Sequence, residues 1–174
     1  PRAKRSTPPR ASWSYDQAGL SERDKRFTPI WFLQHVYEAF GQIDLDPCSH
    51  EQAFVQARRY IRLPECGLTT SWHGAKTVFV NPPFSAVVGW FERVMDAWEA
   101  EEVETVIMLV PTRTDSQTFQ ERVARHADVL FLNGRMRFAS PEGLSWHAPF
   151  ALMVVVLGGT EKAIEHLMRL VPSV

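Results

Sequence analysis

The chain is poor in cysteine, in net charge and in long apolar runs, and each shortage excludes a class of protein. Its 174 residues include two cysteines, Cys48 and Cys66. That is too few for a disulfide framework, so a reducing compartment, the cytoplasm, is expected. The formal net charge is −1, which excludes coating of a polyanion through bulk charge and leaves only local basic patches for that purpose. The longest apolar run, Phe150 to Leu157, falls far short of the roughly 20 residues that span a bilayer. No segment reads as a signal peptide, and there is no internal repeat or low-complexity tract. What the chain does have is a 45% hydrophobic content, enough to exclude a wholly disordered polymer and to bury one core without crosslinks.

The charge is unevenly spread. Residues 1–27 hold seven Lys or Arg against three acids, with Pro8 and Pro9 and no helical or strand period. This stretch, with Lys4 and Arg5, reads as a mobile basic arm or a plain solvated tail. A chain that begins at proline is expected to have lost its initiator Met or to be trimmed. Order is expected from residue 28 to 174, as a single domain. Thr28-Pro29 reads as a hydroxyl N-cap followed by proline at the first helical position. Ile30, Leu33, Val36, Tyr37 and Phe40 then share one helical face, and Gly41 stops the helix.

Further along, Ile43 to Asp46 reads as a strand, His50 to Arg58 as a helix, Arg59 to Leu63 as a strand and Thr77 to Val80 as another. Ala86 to Glu101 is an amphipathic helix, Thr105 to Val110 a buried strand, Ser116 to His126 a helix capped by Asp115, and Asp128 to Leu132 a strand. Arg135 to Phe138 and Phe150 to Leu157 read as the arms of an antiparallel hairpin. A last helix is capped by Thr160 and turns Ile164, Leu167 and Met168 inward. Strands alternating with helices predict an α/β fold with a mostly parallel, doubly wound sheet, and ligands of such sheets sit at the strands' carboxyl ends. Asp46-Pro47-Cys48-Ser49 and Asn81-Pro82-Pro83-Phe84 both lie there.

The second of these is the most informative feature. Two prolines lack N–H donors and lock φ, so the turn is rigid and cannot continue the sheet. An amide side chain, a fixed carbonyl and an aromatic ring then crowd one small volume. The set suits a flat nitrogenous group with an exocyclic amine. Asn81 Oδ1 and the Pro82 carbonyl would each accept one N–H, and Phe84 would stack on a base taken out of its helix. A rigid proline turn with a core phenylalanine is the alternative. Cys48, His50, Cys66 and His73 lack a Cys-x-x-Cys hairpin and match no common zinc spacing, so no metal is expected. The acidic cluster from Asp96 to Glu104 reads as a solvated helix end.

Asn-Pro-Pro-Phe after an apolar strand resembles the catalytic motif of amino-methyltransferases. The ordered set resembles one family of them, the phage and prophage DNA N6-adenine methyltransferases of the Dam type. That set is Thr28-Pro29, Phe40-Gly41, Leu45-Asp46-Pro47-Cys48, Gly67-Leu68 with Trp72, Asn81 to Phe84, Leu109 to Thr114, and Gly134 to Phe138. The resemblance covers about residues 27 to 158. It implies a Rossmann-like methyltransferase that moves a methyl group from S-adenosylmethionine to the exocyclic amine of adenine in DNA, leaving S-adenosylhomocysteine. Asn81, Pro82, Pro83 and Phe84 would be catalytic. The resemblance places Thr28, Pro29, Asp46, Pro47, Cys48, Glu65, Leu68 and Asn81 around the cofactor, with Trp31 and Trp72 in cofactor-side segments. Arg113, Arg135 and Arg137, with Lys4 and Arg5 of the arm, would meet DNA phosphates.

Two departures stand out. Ser49-His50-Glu51 replaces the glycine-rich loop of the wider superfamily, and Cys66 stands where the family carries an acid before Gly-Leu, with Glu65 as its neighbour. The same motif also serves cytosine N4, RNA or protein glutamine, and a chain that lost catalysis would remain a DNA-binding module. No room is left within this chain for a separate target-recognition domain. Selection is therefore expected from the segments Ser85 to Val88, Thr112 to Gln117 and Ala139 to His147, from the arm, or from a homodimer.

Overall fold

The computed structural model describes residues 27–139 and 142–174. Lys4, Arg5 and the rest of residues 1–26 lie outside the described residues. The described part is built around a six-stranded sheet of order β2-β1-β3-β4-β8-β5. Its strands are β1 (Ile43–Asp46), β2 (Ala57–Tyr60), β3 (Thr77–Val80), β4 (Thr105–Pro111), β5 (Asp128–Phe131) and β8 (Leu152–Leu157). Strands β2, β1, β3 and β4 are parallel, while β8 runs antiparallel between β4 and β5. Four helices cover it: α1 (Ile30–Phe40), α2 (Val87–Glu99), α3 (Gln117–Glu121) and α4 (Glu161–Leu170).

Strand alternation sorts the core into two layers. Leu45, Val78, Val80, Met108, Val110 and Val155 pack with Trp90, Phe91 and Val94 of α2 and Phe119 of α3. Ile43, Phe79, Ile107, Leu109, Val154 and Val156 pack with Phe32, Leu33 and Val36 of α1 and Ile164 and Leu167 of α4. Strand β8 is buried along its whole length and β4 from Val106 onward, as expected of strands covered on both faces. The edge at β5 is closed by the chain end, where Phe131 and Val174 exchange backbone hydrogen bonds of 2.9 and 3.0 Å.

The α/β class, the mostly parallel doubly wound sheet and a C-terminal antiparallel hairpin are all present. The hairpin's arms, however, are β6 (Arg137–Ala139) and β7 (Ser145–His147), a separate two-stranded sheet. The segment from Phe150 instead supplies β8, because an all-apolar strand fits only between two covered neighbours. The expected helix from His50 to Arg58 does not form, and β2 begins early, at Ala57. Tertiary contacts override its helical spacing: the Phe27 ring meets His50 and Phe54 at 5.3 and 5.9 Å, and the Gln56 N–H donates to the Tyr37 hydroxyl at 2.7 Å.

Smaller corrections have similar causes. Ser116, not Asp115, caps α3, its hydroxyl accepting from the Phe119 N–H, and that helix ends at Glu121 before a single 3-10 turn. Thr160 does cap α4, but Met168 is 47% exposed and Ile30 of α1 is exposed, with Phe32 buried in its stead. Gly41 closes α1 at φ +75°, a conformation that favours glycine. Phe27, read with the arm, is buried and pairs with Ala139 of β6 through two backbone hydrogen bonds.

Candidate active site

The chain leaves β1 toward β2 on one side and reaches β3 on the other, so the sheet's switch point lies between β1 and β3. Open α/β sheets bind ligands in the crevice at that point. A cavity of about 1050 Å³ opens there. Asp46 ends β1, Asn81 follows β3, and the two strands are held in register by Leu45 opposite Val78.

Thr28, Asp46, Pro47, Cys48, Glu65, Asn81, Pro82, Pro83 and Phe84 all line this one cavity. Two of the expected cofactor residues do not: Pro29 is the N-cap of α1, and Leu68 packs against the α2 side of the core. Trp31 is exposed. Trp72 is fully buried beneath the Gly67 segment, donating its indole N–H to the Gly67 carbonyl at 2.9 Å. Neither tryptophan lines the cavity.

Thr28 corrects its expected role as a cap. Pro29 occupies the N-cap position with no side-chain cap bond, and Thr28 stands one residue further out. Its hydroxyl oxygen accepts instead from Asn81 Nδ2 at 2.8 Å. Phe84 follows the two prolines as the first residue of a 3-10 turn leading into α2, and its ring meets Phe138 of the hairpin edge-on at 5.9 Å.

Asp46 is 3% exposed. Burial pushes its carboxyl up to about 6, against the lowering effect of the Cys48 amide, the Ser49 and Cys48 side chains and the Arg62 charge. The Cys48 N–H reaches Asp46 Oδ1 at 3.1 Å. Burial, reinforced by the Asp46 charge, pushes the Cys48 thiol well above its ordinary range. It is a neutral packing group and not a thiolate nucleophile. Gly67 is required sterically: a Cβ there would overlap the Pro47 carbonyl oxygen and lie 2.9 Å from the Trp90 ring.

Several lining residues had no sequence signal. His50, Phe54 and Val55 sit in the segment read as helix. Trp90 shares the apolar spacing of a core helix, yet it lines the cavity and its indole N–H is buried without a partner among the described residues. Phe150, read as strand, is exposed on the cavity wall.

The three arginines do not line the cavity, and all are exposed. Arg113 follows β4, on the same sheet edge as Asn81. Arg135 Nη1 donates to the Ala148 and Pro149 carbonyls at 3.3 and 2.6 Å, which ties down the loop carrying Phe150. Arg137 stands opposite His147 across the hairpin and donates to Ser145 Oγ at 3.2 Å. Among the described residues, no three His, Cys, Asp or Glu side chains cluster as a metal site, and no helix is long and apolar enough to cross a membrane.

A family profile described as DNA N-6-adenine-methyltransferase (Dam) matches residues 17–160. No curated protein matches the chain in sequence. Among solved structures, a candidate RNA methyltransferase from Pyrococcus horikoshii aligns at TM-score 0.48 and 8% identity, covering 79% of this chain and 90% of its own. A Thermoplasma acidophilum protein aligns at TM-score 0.43 and 10% identity, covering 73% and 82%.

Proposed function

Because the chain belongs to the DNA N-6-adenine-methyltransferase (Dam) family, we propose that Asn81, Pro82, Pro83 and Phe84 receive a flipped adenine for N6 methylation. The observation that carries this reading is the convergence of the Asn81-to-Phe84 turn and the buried Asp46 on one cavity at the switch point. Its volume of about 1050 Å³ is at the upper end of ligand pockets, roughly 300–1000 Å³, and suits a nucleoside-type cofactor beside a base.

The donor set also suits S-adenosylmethionine, the methyl source of this enzyme class. A buried carboxylate, Asp46, answers the α-ammonium of the amino-acid end. The buried Trp90 N–H has no acceptor among the described residues, and Trp90 lines the cavity, so a ligand there could supply one. Pro47, Cys48 and Glu65 complete the set around it, while Thr28 lines the same cavity with its hydroxyl engaged by Asn81. Pro29 and Leu68 serve indirectly, by starting α1 and by packing the Gly67 segment. When bound, S-adenosylmethionine supplies a methyl group on a sulfonium, an electrophile strong enough that the protein's task is alignment and charge placement.

Asn81 Oδ1 and the Pro82 carbonyl each accept one N–H of the adenine amine. With both hydrogens held, the nitrogen lone pair is drawn out of conjugation and aimed at the methyl carbon. Phe84 covers one face of the base, its ring steadied by Phe138. Arg113 and Arg137 take DNA phosphates. Arg135 keeps its remaining N–H groups for the same purpose while holding the Phe150 loop. The N-terminal basic residues Lys4 and Arg5 add charge along the DNA, and a homodimer would extend the contacted surface.

Asn81→Ala tests this reading. Methyl transfer to DNA falls at least a hundredfold, while calorimetric S-adenosylmethionine binding stays within about threefold of wild type. A variant that methylates at near wild-type rate would overturn the assignment.

A further inference from the structure

An asparagine side chain has two ends of similar shape and opposite hydrogen-bonding sense. Only one orientation of Asn81 serves the chemistry above, because the amine it meets brings donors and needs an acceptor. We propose that Thr28 is the positioning residue that keeps the Asn81 oxygen toward the substrate. The proposal rests on the reading of Asn81 given above.

Three observations carry it. Thr28 Oγ1 accepts from Asn81 Nδ2 at 2.8 Å, so the donor end of the amide is tied back and Oδ1 is left as the free acceptor. Thr28 is 3% exposed, so water has little access to the accepting hydroxyl, and its removal costs the half-buried amide nitrogen of Asn81 that partner. Finally, its backbone is fixed on both sides. Phe27 is paired with Ala139 by backbone hydrogen bonds of 3.1 and 3.2 Å, and Pro29 heads α1, its carbonyl accepting from Phe32 and Leu33. A group held by an edge of the hairpin and by a helix start keeps its geometry while ligands come and go, which is what alignment of a reacting amine requires. Thr28 needs no contact with the reacting atoms to act in this way.

Thr28→Val keeps the shape and removes the acceptor, whereas Thr28→Ser keeps the acceptor. The expected result for Thr28→Val is a kcat at least tenfold lower, with the S-adenosylmethionine Kd from calorimetry within about threefold of wild type. Thr28→Ser restores kcat to within about threefold. A readout independent of turnover is solvent exchange of the Asn81 side-chain amide protons by nitrogen-15 NMR, assigned from their disappearance in Asn81→Ala. That exchange should be at least tenfold faster in Thr28→Val than in wild type. Where the valine variant does not fold, Thr28→Ala carries the same expectations.

Unchanged kcat, equal losses in the valine and serine variants, or unchanged amide exchange would each overturn the proposal. So would a loss confined to cofactor affinity, which would make Thr28 a cofactor contact. If Asn81→Ala itself remains active, the reading of Asn81 fails, while the exchange measurement still decides whether Thr28 holds the amide.

Discussion

Removing the charge of Asp46 should move stability and cofactor affinity in opposite directions. Its carboxyl is pushed from the ordinary 3.8 up to about 6, chiefly by burial. In strong acid it is protonated whether the chain is folded or not, and it then carries no penalty. As pH rises through this window the unfolded chain gives up the proton while the folded one retains it, so stability falls until the folded value is passed. Above it the deficit is constant, roughly 3 kcal/mol at about 1.36 kcal/mol per pKa unit. Asp46→Asn keeps an oxygen for the Cys48 N–H, which now sits at 3.1 Å, and removes the charge. At pH 7.5 the ligand-free variant should therefore be more stable by about 3 kcal/mol, or roughly 6–12 °C in Tm for a domain of this size. Its S-adenosylmethionine affinity should fall at least tenfold, since a neutral amide no longer answers a cationic ligand. Thermal melts at several pH values between 4 and 7.5, paired with calorimetry, read both effects. A variant less stable than wild type at pH 7.5, or one that keeps the wild-type loss of stability between pH 4 and 6, would refute the reasoning.

Two further substitutions probe the support around the site. Gly67→Ala forces a methyl group into the Pro47 carbonyl and the Trp90 ring, and urea unfolding should show a loss of about 1–3 kcal/mol together with weaker cofactor binding. Glu102→Ala strands the Trp72 N–H, the Ser71 hydroxyl and the Arg93 guanidinium, which its carboxylate now holds, at a cost of roughly 2–3 kcal/mol at pH 7. Burial alone would raise the Glu102 carboxyl, but those three partners outweigh it and hold it below its ordinary 4.5. Its contribution is therefore present above that value and lost as pH falls further, so the gap between wild type and variant should close in acid.

The parts legible in the sequence are those set by local chemistry. Strand β3 ends at Val80, just before Asn81, because the prolines that follow cannot continue a ladder. Strands β4 and β8 are continuous apolar runs that only a covered position tolerates. The parts that were not legible depend on neighbours far along the chain. Thr28-Pro29 carries the same signal whether the hydroxyl caps a helix or holds Asn81, and only the folded arrangement distinguishes them. The segment after Cys48 has helical spacing, yet the Phe27 ring and the Tyr37 hydroxyl hold it as an irregular wall of the cavity. Trp90 looks like any core residue of an amphipathic helix until α2 is placed against Gly67. Arg135 reads as a phosphate contact, and its engagement with the Ala148 and Pro149 carbonyls appears only once the hairpin is formed.

The most direct test of an Asn81-centred adenine methyltransferase is mass spectrometry of nucleosides from DNA incubated with S-adenosylmethionine and either the wild-type protein or Asn81→Ala. The account predicts N6-methyladenine with the wild type and none above background with the variant. Methylation of cytosine in place of adenine, no methylated base at all, or N6-methyladenine at similar levels with both proteins would contradict it.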